Sequence, residues 1–199
     1  MRPIRPMIRT ALAAAVAFGL SSGSALAIDA NPMRAFLPIK QEVTAPAGAV
    51  GLCAQYDWAC APGHGAAAGA DVLEKAAAVN RAANAAIRPI SDLAQYRVAE
   101  RWTLPSARGG DCEDSAIYKK QELIRAGVSP DRLLLATVLD RQNKAHAVLV
   151  LRTEMGDFVL DNVRDKVLPW HRTGYVFLRM QNPERPAGWV SIFAEARGR

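Results

Sequence analysis

Gly109-Gly110-Asp111-Cys112-Glu113-Asp114 is the stretch from which the chain is best read. The glycine pair permits a sharp turn that other residues resist. Ser115 to Ala126 then carries a helical pattern, and Gly127 stops it. Cys112 therefore falls in the first turn of a helix. The positive end of the helix dipole there favours a thiolate over a thiol. Asp111, Glu113 and Asp114 push the other way, because like charge disfavours a thiolate. A buried structural cysteine rarely has three acidic neighbours, so this is where chemistry is expected.

Downstream of the helix the pattern changes. Arg132 to Leu139 is nearly all apolar, as suits a central buried strand. Asp140 to Lys144 reads as a polar turn, Ala145 to Arg152 as a second strand, and Asp157 to Asp161 as a third. Leu168 to Trp170 and Tyr175 to Arg179 are expected as short edge strands, and the tail around Gly188-Trp189 is weakly patterned. Upstream, residues 71–88 read as a helix capped by Asp71, with Leu73, Ala76, Asn80, Ala83 and Ile87 along one face. Asn80 and Asn84 fall one turn apart and read as a polar, partly exposed face. Residues 91–100 read as a shorter helix or a loop. Residues 28–50 read as an irregular arm with at most one short strand. Helices first and an antiparallel sheet afterwards give an α+β domain.

Residues 1–27 have the form of a secretory signal. Arg2, Arg5 and Arg9 form a positive start, Ala11 to Leu20 an apolar core, and Ala25-Leu26-Ala27 a cleavage site. The apolar run is too short to span a bilayer comfortably, and no other stretch is long and apolar enough. Residues 28–199 are then expected as a single domain in an exported, periplasmic protein. The formal charge is +6, and setting aside the three leader arginines leaves 22 basic residues against 19 acidic. That balance is too mild to argue for nucleic acid.

Export makes the cysteine count informative. Cys53 and Cys60 lie seven residues apart in a loop-like stretch, so a local disulfide is plausible. Cys112 is left as a free thiol. His64 reads as a solvated loop residue. His146 sits in the second strand, where His146, Val148 and Val150 share one face. A hairpin centred near residue 154 places residue 161 or 163 opposite 146, so Asp161 lies on the face of His146 in either register. Asp161 can therefore hold one imidazole nitrogen and aim the other at Cys112. The helix of Cys112 is expected to pack on this same sheet face. A zinc site made by Cys112, His146 and Asp161 is the competing chemistry, but it lacks close-spaced ligand pairs. Asp111, Glu113 and Asp114 are hard oxygen ligands suited to calcium, which would offset their effect on the thiol.

Trp102, Pro105, Gly110-Asp111-Cys112-Glu113-Asp114, His146-Ala147-Val148-Leu149 and Leu160-Asp161-Asn162 resemble the bacterial transglutaminase-like cysteine peptidases. Val79-Asn80 and Gly188-Trp189 extend the likeness to about residues 50–190. The resemblance implies a papain-like or transglutaminase-like fold and a Cys112–His146–Asp161 triad. It implies calcium held by Asp111 and Glu113, with Asp114 a further candidate. It also implies an endopeptidase that cleaves a large surface adhesin to control attachment and biofilm. An inner-membrane receptor for a cyclic dinucleotide is the implied regulator. Two other functions stay open on the residues alone. One is acyl transfer to an amine; the other is a non-catalytic module that binds calcium or a partner.

Overall fold

The structure, a computed structural model, describes residues 35–63 and 71–195. The expected leader, residues 28–34 and His64 lie outside them. The three apolar segments form the antiparallel strands β2 (Leu133–Leu139), β3 (Ala145–Thr153) and β4 (Gly156–Asp161), joined by tight turns. β5 (Arg164–Pro169) pairs with β4 and forms one edge. β6 (Val176–Gln181) pairs with β2, and β7 (Trp189–Glu195) pairs with β6. The two-residue strand β1 (Glu42–Val43) completes a seven-stranded sheet in the order β1-β7-β6-β2-β3-β4-β5. The segment expected as an edge strand near Tyr175 is therefore interior. The weakly patterned tail supplies β7, and an extra residue in β7 between Ser191 and Ala194, opposite Phe177 to Arg179, breaks the period that would have announced it.

Among the described residues four α-helices accompany the sheet: α1 (Leu52–Gln55), α2 (Val72–Ala86), α3 (Asp92–Tyr96) and α4 (Cys112–Arg125). None of the described helices is long and apolar enough to cross a membrane. Asp71 makes no capping bond to α2; its carboxylate pairs with Lys75 at 2.8 Å instead. Ala116, Ile117 and Leu123 of α4 are buried against Ala147, Leu149 and Leu151 of β3 and Leu133 and Leu135 of β2. The opposite face of the sheet buries Leu134, Val138, Val148, Val150, Phe177 and Ile192 with Leu37 and Trp170. α4 thus lies on the face opposite Val148 and Val150, a correction to the expected packing. Strand alternation divides β3 so that Ala147, Leu149 and Leu151 face α4, while the other face carries His146 and Arg152 beside the two valines.

Candidate active site

The turn before α4 is built by backbone contact. Gly109 has φ 124°, and a Cβ there would lie 1.9 Å from the Arg88 carbonyl oxygen. Gly110 donates to that same carbonyl at 3.1 Å, and its own carbonyl accepts from the Ile90 N–H at 3.2 Å. The glycine pair therefore ties the start of α4 to the chain that leaves α2. Cys112 opens α4 and is the free cysteine among the described residues, while Cys53 and Cys60 form a disulfide.

The thiol is half-buried and donates to the Glu113 carboxylate at 3.1 Å. Burial, then the Glu113 charge, pushes the thiol pKa up, and the backbone of Ala147 pulls it back. That contact sets the sulfur beside the first residues of β3. Cys112 and His146 line one cavity of about 200 Å³, together with Trp102, Glu113 and Gly48. A Cβ on Gly48 would come 2.5 Å from the Trp102 ring, so the glycine lets the arm close over the tryptophan. Cys112 and His146 thus meet at the end of β3, although α4 and the His146 ring belong to opposite faces of the sheet.

β3 and β4 pair Leu149 with Leu160 and Val150 with Val159. Continued one step, this register sets Asp161 opposite Val148, diagonal to His146. His146 Nε2 lies 2.9 Å from Asp161 Oδ1, so Nδ1 is the ring nitrogen that this carboxylate does not engage. The Tyr175 hydroxyl donates to Asp161 Oδ2 at 2.5 Å, and its ring meets the His146 ring edge-on at 5.8 Å. Burial pushes the Asp161 pKa up, but the bonds from His146 and Tyr175 outweigh it and hold the carboxyl below its ordinary value. Tyr175 had no signal in the sequence beyond its place near a strand.

Asn80 corrects another reading. It is fully buried, and its amide nitrogen donates to the Arg164 and Asp165 carbonyls at 2.7 and 3.1 Å. Its oxygen accepts from the Asp161 N–H at 3.1 Å. Asn84 donates to the Asp161 and Arg164 carbonyls, both at 3.1 Å. These two side chains from α2 clamp the β4–β5 turn that carries Asp161. Asn80→Ala leaves buried backbone groups unpaired, at a cost of about 2–4 kcal/mol. Calorimetry is expected to show a Tm lower by roughly 6–12 °C. A shift under about 2 °C would remove Asn80 from this role.

The acids do not gather as the sequence suggested. Oxygens of Asp92, Asp111 and Glu113 lie within 4.8 Å of one another. Asp111 Oδ2 accepts from the Asp92 N–H at 3.1 Å, and Asp92 Oδ2 accepts from the Arg101 N–H. The second oxygens, Asp92 Oδ1 and Asp111 Oδ1, are buried with no hydrogen-bond partner. Asp114 instead turns into the core, where its Oδ1 accepts from the Thr103 N–H at 3.0 Å. Gly110 makes room for it, since a Cβ there would lie 2.7 Å from the Asp114 side chain. Asp92 takes the place Asp114 was expected to hold. Ser91-Asp92 is a common way to start a helix, and nothing in sequence ties it to Cys112. Burial raises the Glu113 pKa to about 8 and the Asp114 pKa to about 7; it also raises that of Asp92, with the Asp111 charge adding to the shift.

The calcium-bound structure of Legionella pneumophila LapG is similar to this chain, at 26% sequence identity and a TM-score of 0.52. The match covers 64% of this chain and 72% of that one. A second Legionella pneumophila LapG structure matches at 24% identity and a TM-score of 0.49, over 62% of this chain and 70% of that one. An EGTA-treated LapG structure from the same organism matches at 24% and 0.45, over 56% and 63%. No curated protein sequence matches the chain. Residues 39–197 match the family described as bacterial transglutaminase-like cysteine proteinase. With a free cysteine beside a His–Asp pair, helices on an antiparallel sheet and that match over most of its length, the chain belongs to the bacterial transglutaminase-like cysteine proteinases.

Proposed function

We propose that the chain is an exported, calcium-dependent endopeptidase whose triad is Cys112, His146 and Asp161. The observation that carries this is the free Cys112 sharing a cavity with His146, whose other nitrogen is held by an ionised Asp161. His146 takes the thiol proton through Nδ1, and the sulfur attacks the substrate carbonyl. The N–H groups at the head of α4 lie where the resulting oxyanion forms. His146 then gives its proton to the leaving amine. Water, deprotonated by His146, hydrolyses the thioester.

Asp92, Asp111 and Glu113 fit calcium, because two buried carboxylate oxygens lack partners and all three side chains are hard donors. The calcium-bound state of LapG supports the same reading. A cation there supplies positive charge that offsets Glu113 beside the thiol.

The leader-like residues 1–27 support export to the periplasm. The family resemblance supports a large surface adhesin as substrate, control of attachment and biofilm as the outcome, and an inner-membrane cyclic-dinucleotide receptor as regulator. The test is a map of new protein termini. Exported proteins from the same cell are incubated with calcium and either the wild-type chain or Cys112→Ala. New N-termini in a surface protein, made by the wild type alone, are expected. Amine-linked products without new termini would assign acyl transfer instead, and no difference between the two chains would overturn the reading.

A further inference from the structure

His146 stands between two cavities. One holds Cys112. The other, of about 290 Å³, lies beyond His146 and does not include the thiol; Tyr175, Gln142, Arg141 and Arg164 line it with Asp140. Its two arginines are held in place. Arg141 Nε donates to the Thr173 carbonyl at 3.0 Å. The arginine also lies over Gly174, where a Cβ would come 2.8 Å from its Nε. The Arg164 guanidinium sits over the Tyr175 ring, 5.9 Å from its centroid. Both guanidiniums act electrostatically on the Tyr175 hydroxyl, so their charges converge on one wall.

Neither charge is spent within the protein. Arg125, Arg152 and Arg185 each pair with a carboxylate, whereas no ion pair among the described residues includes Arg141 or Arg164. The two acids nearby accept from other donors and pair with neither arginine. Asp140 Oδ1 accepts from the Gln142 and Lys144 N–H groups at 2.8 and 2.9 Å. Asp161 is occupied by His146 and Tyr175. Two ordered guanidiniums with no carboxylate partner among the described residues, on the wall of a cavity next to the base, form a site for a carboxylate.

The chemistry fixes which part of a substrate reaches it. The histidine must hand its proton to the leaving amine. The leaving amine must therefore come within reach of Nδ1, and the chain that follows it continues past His146 toward the second cavity. We propose that this cavity is a specificity pocket for an acidic residue, Asp or Glu, within the first three positions after the cut bond, clamped by Arg141 and Arg164. It rests on the peptidase reading. The same chemistry would suit the free carboxylate of a chain end, so the substrates in the test carry amidated C-termini.

The probe is a proteome-derived peptide library with amidated C-termini, cleaved with calcium present and with Cys112→Ala as the blank. The wild type is expected to enrich Asp and Glu over Asn and Gln at one of those three positions. On matched quenched peptides the Glu-over-Gln ratio of kcat/KM should be about tenfold, as one charge-assisted contact gives. Arg141→Glu and Arg164→Glu should reverse the preference toward Lys and Arg. The paired Arg141→Gln and Arg164→Gln substitutions, which perturb the surface less, should bring the ratio to about one. Wild-type cleavage without acidic enrichment overturns the pocket and leaves the peptidase standing. So does a ratio that the Gln pair leaves unchanged. A preference that is missing from the amidated library and appears only when the same peptides are supplied with free C-termini overturns the side-chain pocket and assigns it to chain ends. No wild-type cleavage beyond the blank overturns the peptidase reading and the pocket with it.

Discussion

Cys112→Ala is expected to fold as the wild type does and to cleave substrate at least about 10⁴-fold more slowly. The two halves of that result have separate causes. The fold of α4 rests on Ala116, Ile117 and Leu123, which remain buried against the sheet. Truncating a half-buried thiol removes one sulfur and its bond to Glu113, so Tm should move by no more than about 2–4 °C. Catalysis has no substitute, since Cys112 is the free cysteine among the described residues and the cavity with His146 offers no other nucleophile of that strength. Asp161 and Tyr175 would still orient the imidazole, so turnover within tenfold of wild type would overturn the triad. Loss of activity with an unchanged melting curve is the result that separates chemistry from folding.

Removing calcium should have the second largest effect. At pH 8 and above, where Glu113 loses its proton even without metal, excess EGTA is expected to lower the rate by about a hundredfold, because the ionised Glu113 then faces the thiol without an opposing charge. It should also lower Tm by roughly 5–10 °C relative to calcium at a hundred times its Kd. The pH dependence has a definite sign. Burial raises the Glu113 pKa to about 8, the Asp114 pKa to about 7, and that of Asp92 above its ordinary value. Without metal, the folded chain therefore holds protons that the unfolded chain has already released. Its stability should fall as pH rises from about 4.5 to about 8. Bound calcium keeps the ligating carboxylates ionised and removes much of that fall. The calcium-induced gain in Tm should thus be larger at pH 8 than at pH 5. A rate and a Tm that EGTA leaves unchanged at both values would exclude the site.

What could be read in the sequence was whatever rests on local period or a short turn. The apolar run of β2, the hairpin that aligns Asp161 with His146, and the helix opened by Cys112 all follow from neighbours in the chain. The disulfide is of the same kind, since Cys53 and Cys60 are only seven apart. What could not be read depends on packing between distant segments. β7 joins the sheet with a bulge of its own, opposite Phe177 to Arg179. Asn80 looked like a surface residue because a buried amide and an exposed one are the same letter. Its burial is decided by the β4–β5 turn, more than 80 residues away. Asp92 enters the acid cluster because the Gly109-Gly110 turn presses on Arg88 and draws α3 toward α4. Even the packing face of α4 was misjudged, because period alone gives two faces and does not say which one a helix will cover.

That α4 and the His146–Asp161 pair come from different layers has a further consequence. The proposed nucleophile and its proposed base are 34 residues apart in the chain and are brought to one cavity only where a helix on one face of the sheet meets the end of a strand whose histidine turns to the other. No local segment contains a working site. A nascent, threaded or partly melted chain is therefore harmless to itself and to its neighbours, and the protease comes into being only with the finished fold.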